Sequence, residues 1–424
     1  FDTVADMIGK GKKVPESLLE IFAQNPEYSA KLDSLINAKD KVPFKIFDKK
    51  NAEKLFGKNL NISASQLEKF NLCRFSYFCN YGLNVRERQR AEINPMQYGT
   101  IVHYILERFF GEYTKEEYLS LEEDKFQKIV CAYLAEYAVK YFGEEQLESN
   151  SFTYRLKTIL DNVMYLMKHI MEELSQSEFF VADCELKIGE DIPSYTIVLT
   201  DGHKIAVCGS VDRVDIMQRA DITYLRIIDY KTGTKQFKLS DILYGINLQM
   251  LLYLHSIEAT GGDKYGEIVP AGILYMPATV PYISSDSLKS IDKLPDELNK
   301  KLKMNGLLLK DTEIIHGMDK TDVATYIPVK IKAGEPVSST SLATLAEFGK
   351  IFKKVDMLIA EMGKNIYNGN IEAKPLKGGH DSCEYCPYDS VCAYRQSNPI
   401  TCFSVDNKTV IEEITNEING KEEE

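Results

Sequence analysis

Apolar residues recur at helical spacing over the first 60 positions: Leu18, Leu19 and Phe22, then Leu32, Leu35 and Ile36, joined by Lys-rich connections. Ser63 or Ser65 is placed to cap a helix that runs through Leu67, Phe70 and Phe78. Pro95 is placed to open another, carrying Ile101, Ile105, Phe109 and Phe110. Two more helical stretches are expected, at 115–141 and 153–175. Near position 178 the pattern changes. Residues 179–181, 195–199, 204–216 and 224–230 read as strands, separated by turn signals such as Asp201-Gly202. A helix over 246–258 and a strand over 268–275 complete an α/β unit. Residues 283–339 read as a polar insertion, 340–367 as a long amphipathic helix, and 403–424 as a mobile acidic tail.

The chain has 424 residues, 44% of them apolar and 27% charged, which excludes global disorder and leaves room for a large core. No run of 18 apolar residues occurs, so no membrane span is expected. The start, Phe1-Asp2-Thr3-Val4, is not a secretory signal, and without an initiator Met it reads as a piece of something longer. Nine cysteines without such a signal point to a reducing compartment, the cytoplasm, where clustered thiols bind metals. The net charge of −12 argues against wholesale wrapping of nucleic acid but leaves room for a local basic groove. Gly9-Lys10-Gly11-Lys12-Lys13 lacks the second Gly and the Ser/Thr of a P-loop, so this stretch alone is not expected to hydrolyse ATP.

The most informative segment is Gly209-Ser210-Val211-Asp212-Arg213-Val214-Asp215, followed by Ile227-Ile228-Asp229-Tyr230-Lys231-Thr232-Gly233. A hairpin centred between Ala220 and Asp221 sets Asp212 opposite Asp229 on one sheet face, and Lys231, two residues on, joins them. Two carboxylates this close are unfavourable unless a cation sits between them, and oxygen ligands suit Mg²⁺ or Mn²⁺. The alternative is a cross-strand salt-bridge ladder on a solvated face. Asp215 points to the opposite face and is expected in a structural ion pair, with Arg213 or another base. Gln249 and Tyr253 share one helical face, as do His103 and Glu107. Taken alone, each pair reads as ordinary amphipathic helix.

Cys383, Cys386 and Cys392 form C-x2-C-x5-C, a strong metal-ligand signal beside Gly378-Gly379-His380. Zinc would take His380 as its fourth ligand. An iron–sulfur cluster would take a fourth cysteine from Cys73, Cys79 or Cys402.

In chain order, Ser65-Gln66-Leu67-Glu68-x-Phe70-x-x-Cys73, Gly99-Thr100-x-x-His103, Gly209-x-Val211-Asp212-Arg213-Val214-Asp215, Asp229-Tyr230-Lys231-Thr232-Gly233, Gln249-x-x-x-Tyr253 and the cysteine triplet resemble the RecB-type PD-(D/E)xK nucleases. Within them the set resembles the C-terminal nuclease region of the B subunit of AddAB-type helicase–nucleases, bacterial machines that process broken DNA ends for recombination. The resemblance spans about residues 61–396. It implies an α/β fold: a restriction-endonuclease-like core with a mixed sheet flanked by helices, and helical terminal segments stapled by an iron–sulfur cluster. Residues 1–60 would belong to a preceding helicase-like region. Residues 61–282 would form the nuclease domain, with a helical insertion at 115–177, and 340–402 the C-terminal helix and cluster segment.

The resemblance also implies roles. Cys73, Cys383, Cys386 and Cys392 would hold a [4Fe–4S] cluster; Arg74 stands where the family often has proline. His103, Asp212, Asp229 and Lys231 would be catalytic, with Gln249 and Tyr253. Mg²⁺ (or Mn²⁺) would bind His103, Asp212, Asp229 and the Tyr230 carbonyl. Glu185 would match an acidic position ahead of the core. The activity would be metal-dependent exonucleolytic hydrolysis of a DNA strand emerging from an unwound end, with an AddA-type subunit as heterodimer partner. Arg86, Arg88, Arg90, Lys235 and Lys238 would contact phosphates, or simply face solvent. The competing readings are a Cas4-like stand-alone exonuclease, which is shorter, and a silent DNA-binding scaffold, which would have lost a carboxylate or the lysine.

Overall fold

A computed structural model describes residues 1–9, 12–38, 45–46, 48–86, 95–143, 149–233, 236–280, 294–338, 340–392, 394 and 399–422. In chain order its strands are β1 (Asn59–Ile62), β2 (Phe180–Ile188), β3 (Thr196–Val198), β4 (Lys204–Val207), β5 (Gly209–Arg219), β6 (Ile222–Lys231), β7 (Glu267–Pro277), β8 (Asn305–Leu309), β9 (Lys330–Lys332), β10 (Glu335–Val337), β11 (Leu342–Ala343), β12 (Leu376–Gly378) and β13 (Ile400–Cys402).

The central sheet is mixed and six-stranded, in the order β11-β8-β7-β6-β5-β2. β5 and β6 pair antiparallel from Arg213↔Ile228 to Arg219↔Ile222, leaving Ala220-Asp221 as a two-residue turn. This is the register expected from the sequence, and it carries Asp212 alongside Asp229. Ala220 takes the left-handed conformation the tight turn needs, at φ +50°. β6 and β7 run parallel, so the chain between them must cross over, and it does so through the helix Gln249–Thr260. That helix packs on β6 and β7 and beneath the long helix Leu345–Tyr367.

The other face is covered by helices Pro95–Glu112 and Asn150–Ser175. Arg213, Asp215, Arg226 and Glu173 lie there with no solvent exposure. Glu173, from the second helix, bonds Arg213 at 3.1 Å and Arg226 at 2.6 Å, and Arg213 bonds Asp215 at 2.6 Å. The expected structural pair of Asp215 is therefore a four-membered network. Phe110 and Phe179 lie against the two guanidinium groups.

Several boundaries differ from expectation. The helix expected to run to Phe78 ends at Leu72, because Cys73 is extended (φ −169°, ψ 118°) and a new turn begins at Arg74. Its start is set by Ser63, whose side chain forms a capping box with Gln66. The helices of the expected 115–177 insertion pack into the main core through Val130, Leu134, Val163 and Ile170. The expected polar insertion supplies β8, which pairs with β7, because Leu307, Leu308 and Leu309 are buried. The expected mobile tail is a helix, Asn407–Glu422, that buries Val410, Ile414 and Ile418 against the core. Val4, Ile8 and Leu32 form a separate small cluster, with Phe1, Leu18 and Phe22 packed against it. Among the described residues, no helix is long and apolar enough to cross a membrane.

Candidate active site

Alternation along β5 and β6 turns Asp212, Asp229 and Lys231 to the face opposite the buried arginines. On the far side of β5, Glu185 of β2 stands at the same level, between the pairs Cys184↔Arg213 and Leu186↔Val211. The three carboxylates thus span three neighbouring strands. Glu185 has φ +51°, a conformation that costs a non-glycine residue about 1–3 kcal/mol and persists only where the surroundings impose it. Its carboxylate is held by Ser210 Oγ (2.8 Å) and His103 Nδ1 (2.9 Å).

His103 comes from the helix Pro95–Glu112, with Nε2 3.6 Å from Asp212 Oδ2. One ligand atom from each of His103, Glu185 and Asp212 lies within 4.8 Å of the others, and among the described residues this is the group drawn together tightly enough to hold an ion. Asp212 also accepts the Tyr230 N–H at 3.0 Å. An extended residue projects its N–H and C=O to the same side, so the Tyr230 carbonyl opens towards Asp212 as well.

Lys231 Nζ lies 2.6 Å from Asp229 Oδ2, yet that buried oxygen has no aligned hydrogen bond. Gln249 Nε2 reaches Asp229 Oδ1 only at 3.5 Å. Glu68 accepts from the backbone N–H of Leu248 (2.7 Å) and Gln249 (3.4 Å), satisfying the start of the helix that carries Gln249. Tyr253 is buried. Its ring and hydroxyl occupy the space a side chain at position 209 would need, so Gly209 is required there.

Burial, then the neighbouring Asp229, push the Asp212 carboxyl up to about 7. Burial opposes a charge on His103, but the Glu185 hydrogen bond and the Asp212 carboxylate outweigh it and raise its pKa. Burial likewise opposes a charge on Glu185, and its bonds from His103 and Ser210 overcome this and hold it below its ordinary value. Half-buried Asp212, pushed towards neutrality, and buried Asp229, paired with Lys231, form with His103 and Glu185 a donor set that a hard divalent cation fits.

The cysteines converge elsewhere. Cys73, at the end of the helix Ala64–Leu72, lines one cavity of about 150 Å³ with Cys383, Cys386 and Cys392. β12 and β13 pair in parallel, so the segment bearing the last three is a loop tied at both ends. Cys79 packs in the same apolar cluster without lining the cavity, and Cys402 is buried in a different one. His380 points to Asp241 instead (3.7 Å). Zinc with Zn–S near 2.3 Å would draw its sulfurs to about 3.8 Å apart. Among the described residues, no three cysteine sulfurs gather within 4.8 Å.

Reasoning from sequence missed the buried Glu173–Arg226 contact. Its signal was a lone arginine inside the apolar run Leu225–Ile228. It also missed the role of Glu68, and gave Glu185 only as an acidic position ahead of the core. Arg86 and Lys238 are exposed. Arg88, Arg90 and Lys235 lie outside the described residues.

Residues 61–393 match the PD-(D/E)XK nuclease superfamily. The chain is 34% identical over 354 residues to the B subunit of the ATP-dependent helicase/deoxyribonuclease of Thermoanaerobacter sp. (strain X514), covering 81% of this chain and 30% of that protein. It is 35% identical over 397 residues to the protein of the same name from Clostridium kluyveri (90% and 34%). For that from Clostridium acetobutylicum the identity is 32% over 414 residues (93% and 35%). The chain spans about a third of the length of these curated relatives.

Proposed function

Since this chain belongs to the PD-(D/E)XK nuclease superfamily, we propose that it is the metal-dependent DNA exonuclease region of a helicase–nuclease subunit, working with an AddA-type partner on double-strand break ends. The observation that carries this reading is the convergence of His103, Glu185 and Asp212 within 4.8 Å, beside the Asp229–Lys231 pair.

Asp212 and Asp229 hold Mg²⁺ or Mn²⁺, assisted by His103, Glu185 and the Tyr230 carbonyl. A cation held there supplies Lewis-acid polarisation of the phosphate and acidifies water. Lys231 is positioned by Asp229 and open to the cleft. It donates to the attacking water and offsets charge gathering on the phosphate oxygens. Gln249 orients Asp229 from the capped end of its helix. Tyr253 acts from beneath, fixing β5 at Gly209.

Cys73, Cys383, Cys386 and Cys392 hold a [4Fe–4S] cluster with a structural role, tying the C-terminal loop to the helix Ala64–Leu72. No two of the nine cysteines are joined in a disulfide, which suits a reducing cytoplasm.

The test is digestion of end-labelled linear single-stranded DNA and its closed circular form, with Mg²⁺, with Mn²⁺ and with a chelator. Loss of the linear strand only, and only with cation, is expected. Cutting of the circle would contradict the exonuclease mode, and cutting in chelator would contradict the metal.

A further inference from the structure

We infer that Tyr141, with Tyr137 and Tyr104 behind it, is a base-stacking platform for single-stranded DNA at the mouth of the catalytic cleft. This deepens the proposed nuclease reading and rests on it.

The cleft lined by His103, Glu185, Tyr230 and Lys231 encloses about 960 Å³ and continues to these three tyrosines. That is the upper end of the roughly 300–1,000 Å³ typical of ligand sites, and more than one phosphate needs. Tyr104 lies on the same helix as His103, one position on. Tyr137 and Tyr141 lie one turn apart near the end of the helix Glu123–Phe142.

The rings form a graded cluster, edge-on between Tyr104 and Tyr137 (60°) and tilted between Tyr137 and Tyr141 (34°). Tyr137 is buried and packs against Tyr104 at 5.2 Å and against Tyr141 at 4.4 Å. Tyr104 is fixed by donating to Glu136 at 2.7 Å. Tyr141, at the outer end, is 56% exposed. A large ring braced from behind and open in front is costly to leave against water, and a flat apolar partner would cover it. Lys140 Nζ lies 5.1 Å from the Tyr141 ring centre and 5.9 Å from that of Tyr104, placing a cation where a strand's phosphates would follow the bases.

The occupant follows from this chemistry. Every base presents a π-face, so a tyrosine platform is tolerant of sequence. In a duplex those faces are already stacked and paired. A strand separated from its complement offers them freely. The platform therefore favours an unwound strand and holds the nucleotides next to the one whose phosphate lies between Asp212 and Lys231.

The test measures fluorescence anisotropy of a labelled single-stranded oligonucleotide in the Asp229→Ala background, so that binding is read without cutting. Failure here leaves the nuclease reading intact, because that reading is scored by cleavage. Adding Tyr141→Ala should raise Kd about 5- to 150-fold, the range a lost base–aromatic stack produces. Tyr141→Phe should bind like the parent. On a strand of abasic sites the effect of Tyr141→Ala should vanish. Unchanged binding by Tyr141→Ala overturns the inference. So does an equal loss on the abasic strand, or a Phe variant as weak as the Ala variant.

Discussion

Asp212 and Asp215 stand three residues apart on β5, face opposite sides of the sheet, and are pushed in opposite directions. Burial and Asp229 raise Asp212 to about 7. Burial also opposes the charge on Asp215, but Arg213 and Arg226 hold it below its ordinary value. Asp212 has the His103 imidazole beside it at 3.6 Å, whereas Asp215 is held between two guanidinium groups.

The first prediction concerns Asp212. Its folded pKa lies above its unfolded one, so without metal its contribution to stability is complete below about pH 4 and lost as pH rises through about 7. A bound cation reverses that loss. Thermal unfolding with and without Mg²⁺ should therefore show a larger stabilisation at about pH 8 than at about pH 6. Equal gains at both would place the cation away from Asp212.

The network behind β5 predicts a different outcome. Asp215→Asn or Glu173→Gln leaves a buried guanidinium short of a partner, which costs about 3–5 kcal/mol. Melting temperature should fall well below wild type, and the folded fraction should still cut DNA. In the wild type the Asp215 contribution is present above the ordinary carboxylate range and is lost as pH falls through its lowered folded pKa. A folded but inactive Asp215→Asn protein would contradict the structural assignment.

For the cysteines, Cys386→Ala should lose iron, lower the melting temperature and weaken binding to DNA ends. Cys79→Ala and Cys402→Ala should keep their iron. Cys73 and Cys383 are 310 positions apart, so a shared cluster closes most of the chain into a loop. By the disulfide formula, a loop of about 100 residues is already worth ~4.7 kcal/mol, which sets the scale of the loss. Zinc in place of iron, or an unchanged melting temperature after iron loss, would refute this part.

Glu68→Ala removes the acceptor at the start of the helix Gln249–Thr260. Loss of such a cap costs about 1 kcal/mol. The variant should stay folded but cut more slowly, because Gln249 loses its anchor. A wild-type rate would mean that Gln249 does not orient Asp229.

Much of the site was legible in the sequence because its geometry is local. A two-residue turn at Ala220-Asp221 and strict alternation fix Asp212, Asp229 and Lys231 together, and three cysteines within ten residues come to line one cavity. Contacts that depend on distant packing were less accessible. Glu173 meets Arg226 across 53 positions, and Glu185 enters the site through a backbone conformation no residue type signals. β8 is short and sits among charged residues, which hid its apolar core. The final helix carried a readable period in Val410, Ile414 and Ile418, masked by its acidic composition.

The central claim is that Asp229 and Lys231 serve chemistry rather than packing. Its most direct test is the single-turnover cleavage rate of linear single-stranded DNA with Mg²⁺ by Asp229→Ala and by Lys231→Ala, each with unfolding measured on the same preparation. Cutting should fall at least about 100-fold in both, the scale set by losing a group that stabilises transition-state charge, with iron content and melting temperature held. A folded variant that cuts at the wild-type rate would contradict the account.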